Sequence, residues 1–211
     1  RHMYLMKAES PGPSVSKLVP RVKQTAQILY AIYFVMTLVE ILLLLLGKMP
    51  VFDAVTLSLG TAGTGGFGVR NDSVASYTPY MRNVITIFMI LFGVNFNIYY
   101  LFLCKKWKQA FRSEELRMYF GIILVSILAI TVNITFNTEK FFPNILESFQ
   151  HAAFQVGSVI TTTGYSTTDF GKWPIFSQTI LLLLMFVGAC AGSTGGGIKV
   201  SRILIMIKSV K

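Results

Sequence analysis

Two short stretches set threonine, glycine and an aromatic residue side by side: Thr64-Gly65-Gly66-Phe67-Gly68 and Thr162-Thr163-Gly164-Tyr165-Ser166. They hold no nucleophile with a base beside it, and no carboxylate or imidazole that could cage a metal. They offer oxygens: peptide carbonyls turned outward by bends that glycine permits, and threonine hydroxyls at one end of the bend. A third stretch, ACAGSTGGGIKVS from Ala189 to Ser201, crowds Gly192, Ser193, Thr194, Gly195, Gly196 and Gly197 together. Backbone groups presented this way serve either a cation or a phosphate.

The phosphate readings need particular surroundings. Gly63 to Gly68 fits the dinucleotide pattern GxGxxG, which requires a preceding β-strand, a βαβ unit and an acidic residue about twenty positions on. None of these contexts is legible here. The third stretch nearly spells a P-loop, but Ile198 separates Gly197 from Lys199, and Val200 stands where a magnesium-binding Ser or Thr belongs. It also lies between two apolar runs. Five glycines between 188 and 197, at about 1 kcal/mol each, predict a helix broken midway. Close helix packing through small residues is the other use of such glycines.

The elements around these stretches are those of a membrane protein. The chain has 211 residues, 53% hydrophobic and only 13% charged, with a net charge of +10, whereas soluble domains carry roughly a quarter charged residues. Four apolar runs stand out: Thr25 to Gly47, Val84 to Leu103, Met118 to Phe136 and Ile175 to Cys190. A helix of about 20 residues covers the ~30 Å hydrocarbon core. The basic residues gather in 1–24, 105–117 and 199–211, so four alternating crossings put every basic cluster on one face. By the positive-inside rule that face is cytoplasmic. No basic surface suited to nucleic acid appears. Cys104 and Cys190 form no ligand spacing and read as small apolar fillers. The ends, Arg1 and an apolar run stopping at Lys211, are expected to be cuts within a longer protein.

The two outer connections each carry an apolar stretch too short to cross, VFDAVTLSLGTAG and ILESFQHAAFQVGSVI, followed by one of the Thr/Gly stretches. Laying Gly66 on Gly164 brings Thr64 onto Thr162, Ala54 onto Ala152 and Phe67 onto Tyr165. This is an internal repeat, a common way of building transport proteins. Irregular backbone at membrane depth persists only where it is buried in protein or lines a watery cavity. A half-length helix ending in a glycine bend predicts carbonyls aimed at a dehydrated cation, with the negative helix end behind them. The first stretch resembles the TVGYG filter of potassium channels, and the second keeps its central glycine. The aromatics Phe67 and Tyr165, with Gly68 and Ser166 beside them, are expected to pack outward and stiffen the bends.

Taken together, KAESPGPSVSKLVPRVKQTA, TGGFG, TTTGYST and CAGSTGGGIKVSRIL resemble the TrkH/KtrB/HKT superfamily of potassium transporters along the whole chain, and within it the bacterial TrkH branch. The resemblance implies an all-α membrane protein with two helix–pore loop–helix repeats, half of a four-repeat potassium-channel-like pore. Residues 1–24 would be a cytoplasmic segment, 25–104 the first repeat, 105–117 a basic cytoplasmic connection and 118–211 the second repeat, with an intramembrane gating loop at 188–197. It implies potassium uptake, channel-like or coupled, across the plasma (cell inner) membrane. Thr64, Gly65, Gly66, Thr162, Thr163 and Gly164 would face the ion, and Gly192 to Gly197 would gate it. Potassium is then the transported ion, with no organic cofactor and no enzymatic step. The implied partners are the lipid bilayer, the first and fourth repeats of the same protein, a second copy in a homodimer, and a cytosolic nucleotide-binding regulatory ring. A nucleotide-binding membrane subunit and a structural membrane subunit are the alternatives.

Other polar residues invite plainer readings. Glu40, inside the first run, is either functional or paired with a polar neighbour. Asn95, Asn97 and Asn133 suit interhelical hydrogen bonds. His151 suits packing, Asp53 a helix N-terminus or an attractor of cations at the outer mouth, and Lys199 with Arg202 a snorkelling end.

Overall fold

The first apolar run, free of glycine and proline until Gly47, forms the long helix α1 (Val22–Leu46). The computed structural model describes residues 22–137 and 141–209, so nearly all of the polar 1–24 segment, with its KAESPGPSVSKLVP stretch, lies outside the described residues. After α1, Pro50 opens α2 (Val51–Ala62), twelve residues long, about 18 Å at 1.5 Å per residue and too short to span. Thr78 caps α3 (Pro79–Phe92), with proline in the first turn where its missing N–H costs nothing. The helices α4 (Phe96–Leu103) and α5 (Trp107–Phe111) follow.

Ser113 caps α6 (Glu114–Thr135), with Glu114 and Glu115 in its first turn. The second half-length helix is α7 (Ile145–Ile160), followed by a 3-10 turn at Phe170–Lys172. Then come α8 (Ile175–Phe186) and α9 (Val200–Ser209). All regular elements among the described residues are helical; two isolated bridges, Arg70 with Ser73 and Val187 with Ile198, are the extended pairings. The chain is thus an all-α membrane protein of two repeats, α1–α2–α3/α4 and α6–α7–α8/α9, each with a half-length helix and a loop at its centre.

Among the described residues, only α1 and α6 are uninterrupted helices long and apolar enough to cross a membrane. The second apolar run, expected as one span, breaks: α3 and α4 meet at 91°. Gly93 caps α3, and the Asn95 side chain accepts from the Asn97 amide to start α4. A side chain at Gly93 would not fit, because a Cβ there would lie 2.2 Å from the Tyr119 hydroxyl and 2.9 Å from Thr161 Cγ2. The fourth run breaks too, after Phe186, as its glycines foretell. The register that lays Gly66 on Gly164 lays Gly93 on Ala191, so the first break falls within the longer second one.

The two breaks satisfy each other's backbone. Cys190 N donates to Gly93 O at 3.0 Å, Phe96 N donates to Gly192 O at 3.0 Å, and Thr194 Oγ1 donates to Phe92 O at 3.3 Å. Groups freed from two helices thus pair across the repeat boundary, as a lipid environment demands.

Each repeat has its own apolar core. Leu44, Leu57, Ile85, Met89 and Phe92 centre the first, while Tyr119, Ile130, Ile134, Val156 and Ile160 centre the second. Phe154 and Tyr165 of the second repeat are buried in the first core, and α3 packs along α7. Outward faces are apolar, with Tyr30, Phe34, Leu42 and Leu46 of α1 exposed, as lipid contact requires. Cys190 is a buried filler, whereas Cys104 is exposed at the end of α4.

Substituting Gly93→Ala should destabilise the fold by about 1–3 kcal/mol, the usual cost of overpacking. Thermal melting of the purified protein checks this, and Tyr119→Phe in the same chain should recover part of the loss, since the hydroxyl is the first atom struck.

Candidate functional site

The two half-length helices end in the same motif, atom for atom. At α2, Thr64 N donates to Thr61 O at 3.2 Å and Gly65 N to Gly60 O at 2.8 Å. At α7, Thr162 N donates to Val159 O at 3.0 Å and Thr163 N to Ser158 O at 2.9 Å. This is the Schellman pattern, which consumes the orphan carbonyls of a helix end and turns the chain away. The motif asks for a left-handed residue, usually glycine. Here it is threonine both times, with φ 51° at Thr64 and 58° at Thr162. A β-branched residue in that conformation costs about 1–3 kcal/mol and persists only where the surroundings over-determine it.

The hydroxyls of these two threonines face the stretch between α8 and α9. Thr64 Oγ1 donates to Thr194 O at 3.3 Å, and Thr162 Oγ1 accepts from Gly196 N at 2.7 Å. Both bends therefore meet the Gly-rich stretch through their strained residues. Thr163 differs: its hydroxyl is buried and hydrogen-bonds Thr161 Oγ1 at 2.8 Å, so its side chain is occupied behind the bend.

Beyond the threonines the chain has no regular secondary structure, and Gly66 and Gly164 take φ of 69° and 92°. The carbonyls of Thr64, Gly65, Gly66, Thr162, Thr163 and Gly164 accept no hydrogen bond from the described residues. The next carbonyl, Tyr165 O, is taken by Ser158 Oγ at 2.5 Å. In the second bend the run of free oxygens thus ends where the bend is tied back to its own helix.

The bends also touch. A Cβ at Gly66 would lie 1.9 Å from Thr163 O, so glycine is required there for both conformation and space; the same construction at Gly164 meets nothing. Tyr165 crosses to the first repeat, is fully buried, and donates to Leu57 O at 3.1 Å over Gly60. Val74 N donates to Ser166 O at 3.2 Å, and Ser166 N to Ser73 Oγ at 3.2 Å. Phe67 does not follow Tyr165: it is 81% exposed, because this chain offers it no neighbouring helix like the one Tyr165 finds in α2. Gly68 packs closely on Ser73.

The Gly-rich stretch is a folded loop rather than slack chain. Its neck closes through Gly188 N to Ile198 O at 2.8 Å and Val200 N to Ala189 O at 3.2 Å. Glu115, from the first turn of α6, accepts from Ala191 N at 2.7 Å. Lys199 folds back so that its ammonium bonds Gly195 O, which is more than the snorkelling end expected of it. Glu115 was not foreseen: an acid in the first turn of a helix reads as a dipole partner, and nothing local points to a loop far along the chain.

Asp53, His151 and Asn133 have structural partners. Asp53 accepts from Tyr77 Oη at 2.7 Å and pairs with Arg70 at 3.7 Å, so its charge is committed within the protein rather than free at the mouth. Burial first, and then this carboxylate, push the Tyr77 phenol up to about 12, which keeps it protonated and donating at physiological pH. His151 bonds Thr167 Oγ1 at 2.8 Å, reaches Arg82 at 3.3 Å and stacks on Phe142, a packing role. Asn133 accepts from Ser177 between α6 and α8 at 2.7 Å. No cluster that could hold a metal through His, Cys, Asp or Glu occurs among the described residues. No strand precedes either Gly-rich stretch among them, so the dinucleotide and P-loop contexts are missing.

Removing the Glu115 carboxylate should loosen the loop. Deuterium exchange in the 188–197 segment is expected to accelerate about tenfold in Glu115→Ala, the loss of one charge-assisted hydrogen bond, with little change in α1.

Comparison with known proteins gives a consistent result. The TrkH family model, described as a cation transport protein, matches residues 2–211. The chain is 37% identical over 209 residues to the Trk system potassium uptake protein TrkH of Salmonella typhimurium and 35% identical to that of Escherichia coli K12, covering 98% of this chain in both cases. It is 32% identical to the potassium uptake protein TrkI of Halomonas elongata. The crystal structure of the potassium transporter TrkH from Vibrio parahaemolyticus superimposes with a TM-score of 0.83 at 30% identity over 92% of this chain. The chain spans 43% of the length of the first two relatives and 42% of the crystallised one.

Proposed function

The chain belongs to the TrkH family of cation transport proteins, and from that premise we propose that it contributes two pore-loop repeats to a potassium uptake system of the plasma membrane. The observation that carries this reading is the set of six carbonyls, from Thr64 to Gly66 and from Thr162 to Gly164, that no donor among the described residues claims. Oxygens in that state at membrane depth replace the water shell of a dehydrated cation. The C-terminal ends of α2 and α7 point at the same bends and add their negative dipoles.

The contacts made and left unmade suit a ring of such repeats. Gly66 abuts the following bend while a side chain at Gly164 would point into open space, and Tyr165 packs on the preceding short helix while Phe67 lies bare. A further repeat on each side would fill both gaps, in keeping with a first and a fourth repeat in one pore. The units are 25–104 and 118–211, with 1–24 and 105–117 on the cytoplasmic side. A homodimer and a cytosolic nucleotide-binding ring are the assemblies we expect for the whole protein.

The loop at 188–197 is the gate. It lies against the strained threonines at the inner end of both bends. The bonds of Thr64, Thr162, Glu115 and Lys199 hold it there. Net values of about 1 kcal/mol per neutral bond and more for charged ones make the closed position worth a few kcal/mol. A regulatory partner's differential binding can supply a shift of about 5 kcal/mol.

In the full-length transporter, Gly66→Ser and Gly164→Ser should each lower the preference for potassium over sodium by about tenfold, the equivalent of ~1.4 kcal/mol. The Gly66 variant should be the more severe because its side chain meets Thr163 O. Uptake by cells lacking other potassium transport measures this. An unchanged ion preference in both variants would remove the bends from the pathway.

A further inference from the structure

Glu40 on α1 is fully buried, and neither carboxyl oxygen has a hydrogen-bond partner among the described residues. It joins none of the ion pairs found there. The charged side chains on the helices packed against α1 are committed elsewhere: Asp53 of α2 to Tyr77 and Arg70, and Arg82 of α3 to His151. The titratable groups that sense Glu40 are two phenols, Tyr33 on its own helix and Tyr165 from the second bend. An unpaired carboxylate in such a place carries a desolvation cost that proteins avoid by protonating the group.

The surroundings ask for the same state. Thr61, in the last turn of α2, sets its hydroxyl beside the Glu40 carboxyl, but its single proton is already donated to Leu57 O at 2.8 Å. The Tyr165 hydroxyl donates to the same carbonyl at 3.1 Å. Both hydroxyls have spent their protons and keep lone pairs. A carboxylate only accepts, so it has nothing to exchange with them, whereas a carboxylic acid has a proton to give.

We propose that Glu40 is held as a neutral carboxylic acid that donates to the Thr61 hydroxyl and thereby fixes the Thr61–Leu57–Tyr165 knot joining the first short helix to the second bend. Glu40 is then a positioning residue: it touches no ion, but it sets where two adjacent bends stand relative to each other. The role rests on the filter reading given above; the protonation state does not.

The test uses the full-length transporter with Glu40→Gln and Glu40→Ala. Glutamine keeps a donor without charge, so its potassium-over-sodium preference should match the wild type, while alanine should lower that preference about fivefold, the worth of one hydrogen bond. Infrared difference spectra of wild type against Glu40→Gln should contain the C=O stretch of a protonated carboxyl at neutral pH. Loss of ion preference in the glutamine variant, or absence of that band, overturns the proposal. If the alanine variant does not accumulate in membranes, the glutamine variant and the spectrum decide. A wild-type protein without potassium preference would instead refute the transport reading, and the infrared band would still report on Glu40.

Discussion

A peptide carbonyl at membrane depth has no water to bond, so it must be paired within the protein or meet something else that is positive. Most of this chain's architecture follows from how that demand is met in some places and left unmet in others. The helix ends of α2 and α7 satisfy their own last carbonyls through Schellman bonds, and the freed backbone at each helix break is satisfied by the other break. Three carbonyls in each bend, Thr64 to Gly66 and Thr162 to Gly164, accept from no donor among the described residues. The Tyr165 carbonyl that follows the second set is claimed by Ser158 Oγ.

The cost of that arrangement is strain at Thr64 and Thr162. Glycine would relieve it, yet threonine stands at both positions and turns its hydroxyl onto the loop between α8 and α9. The strained residue is therefore the junction between bend and loop. Such a junction makes the loop's position sensitive to the geometry of the bends, and the reverse, without any long-range wire. Glu115 of α6 and Lys199 at the loop's own end also bind it, so several bonds of modest individual worth hold it together.

The two repeats are interlocked rather than merely adjacent. Tyr165 and Phe154 complete the core of the first repeat, α3 lies along α7, and Gly66 meets Thr163 at a distance no side chain could share. The comparison of Tyr165 with Phe67 shows how much this depends on neighbours. The two residues occupy equivalent positions, but one is buried and the other bare, because only one has an adjacent short helix within this chain.

The amino-acid sequence by itself determined the membrane character, the half-length helices, both glycine bends, their register and the break after Phe186. These are local matters of apolar run length, helix propensity and the backbone freedom of clustered glycines. It did not disclose the break at Gly93 and Asn95, where a single glycine inside an apolar run looks like an ordinary packing residue. Nor did it disclose the grip of Glu115 on Ala191 or the burial of Glu40 with no hydrogen-bond partner among the described residues. Those were decided by tertiary structure, because an unpaired N–H or a spent hydroxyl proton acquires meaning only once distant segments are brought within hydrogen-bonding reach. Spacing along a chain shows which groups are available; which are already taken depends on what the fold has placed beside them.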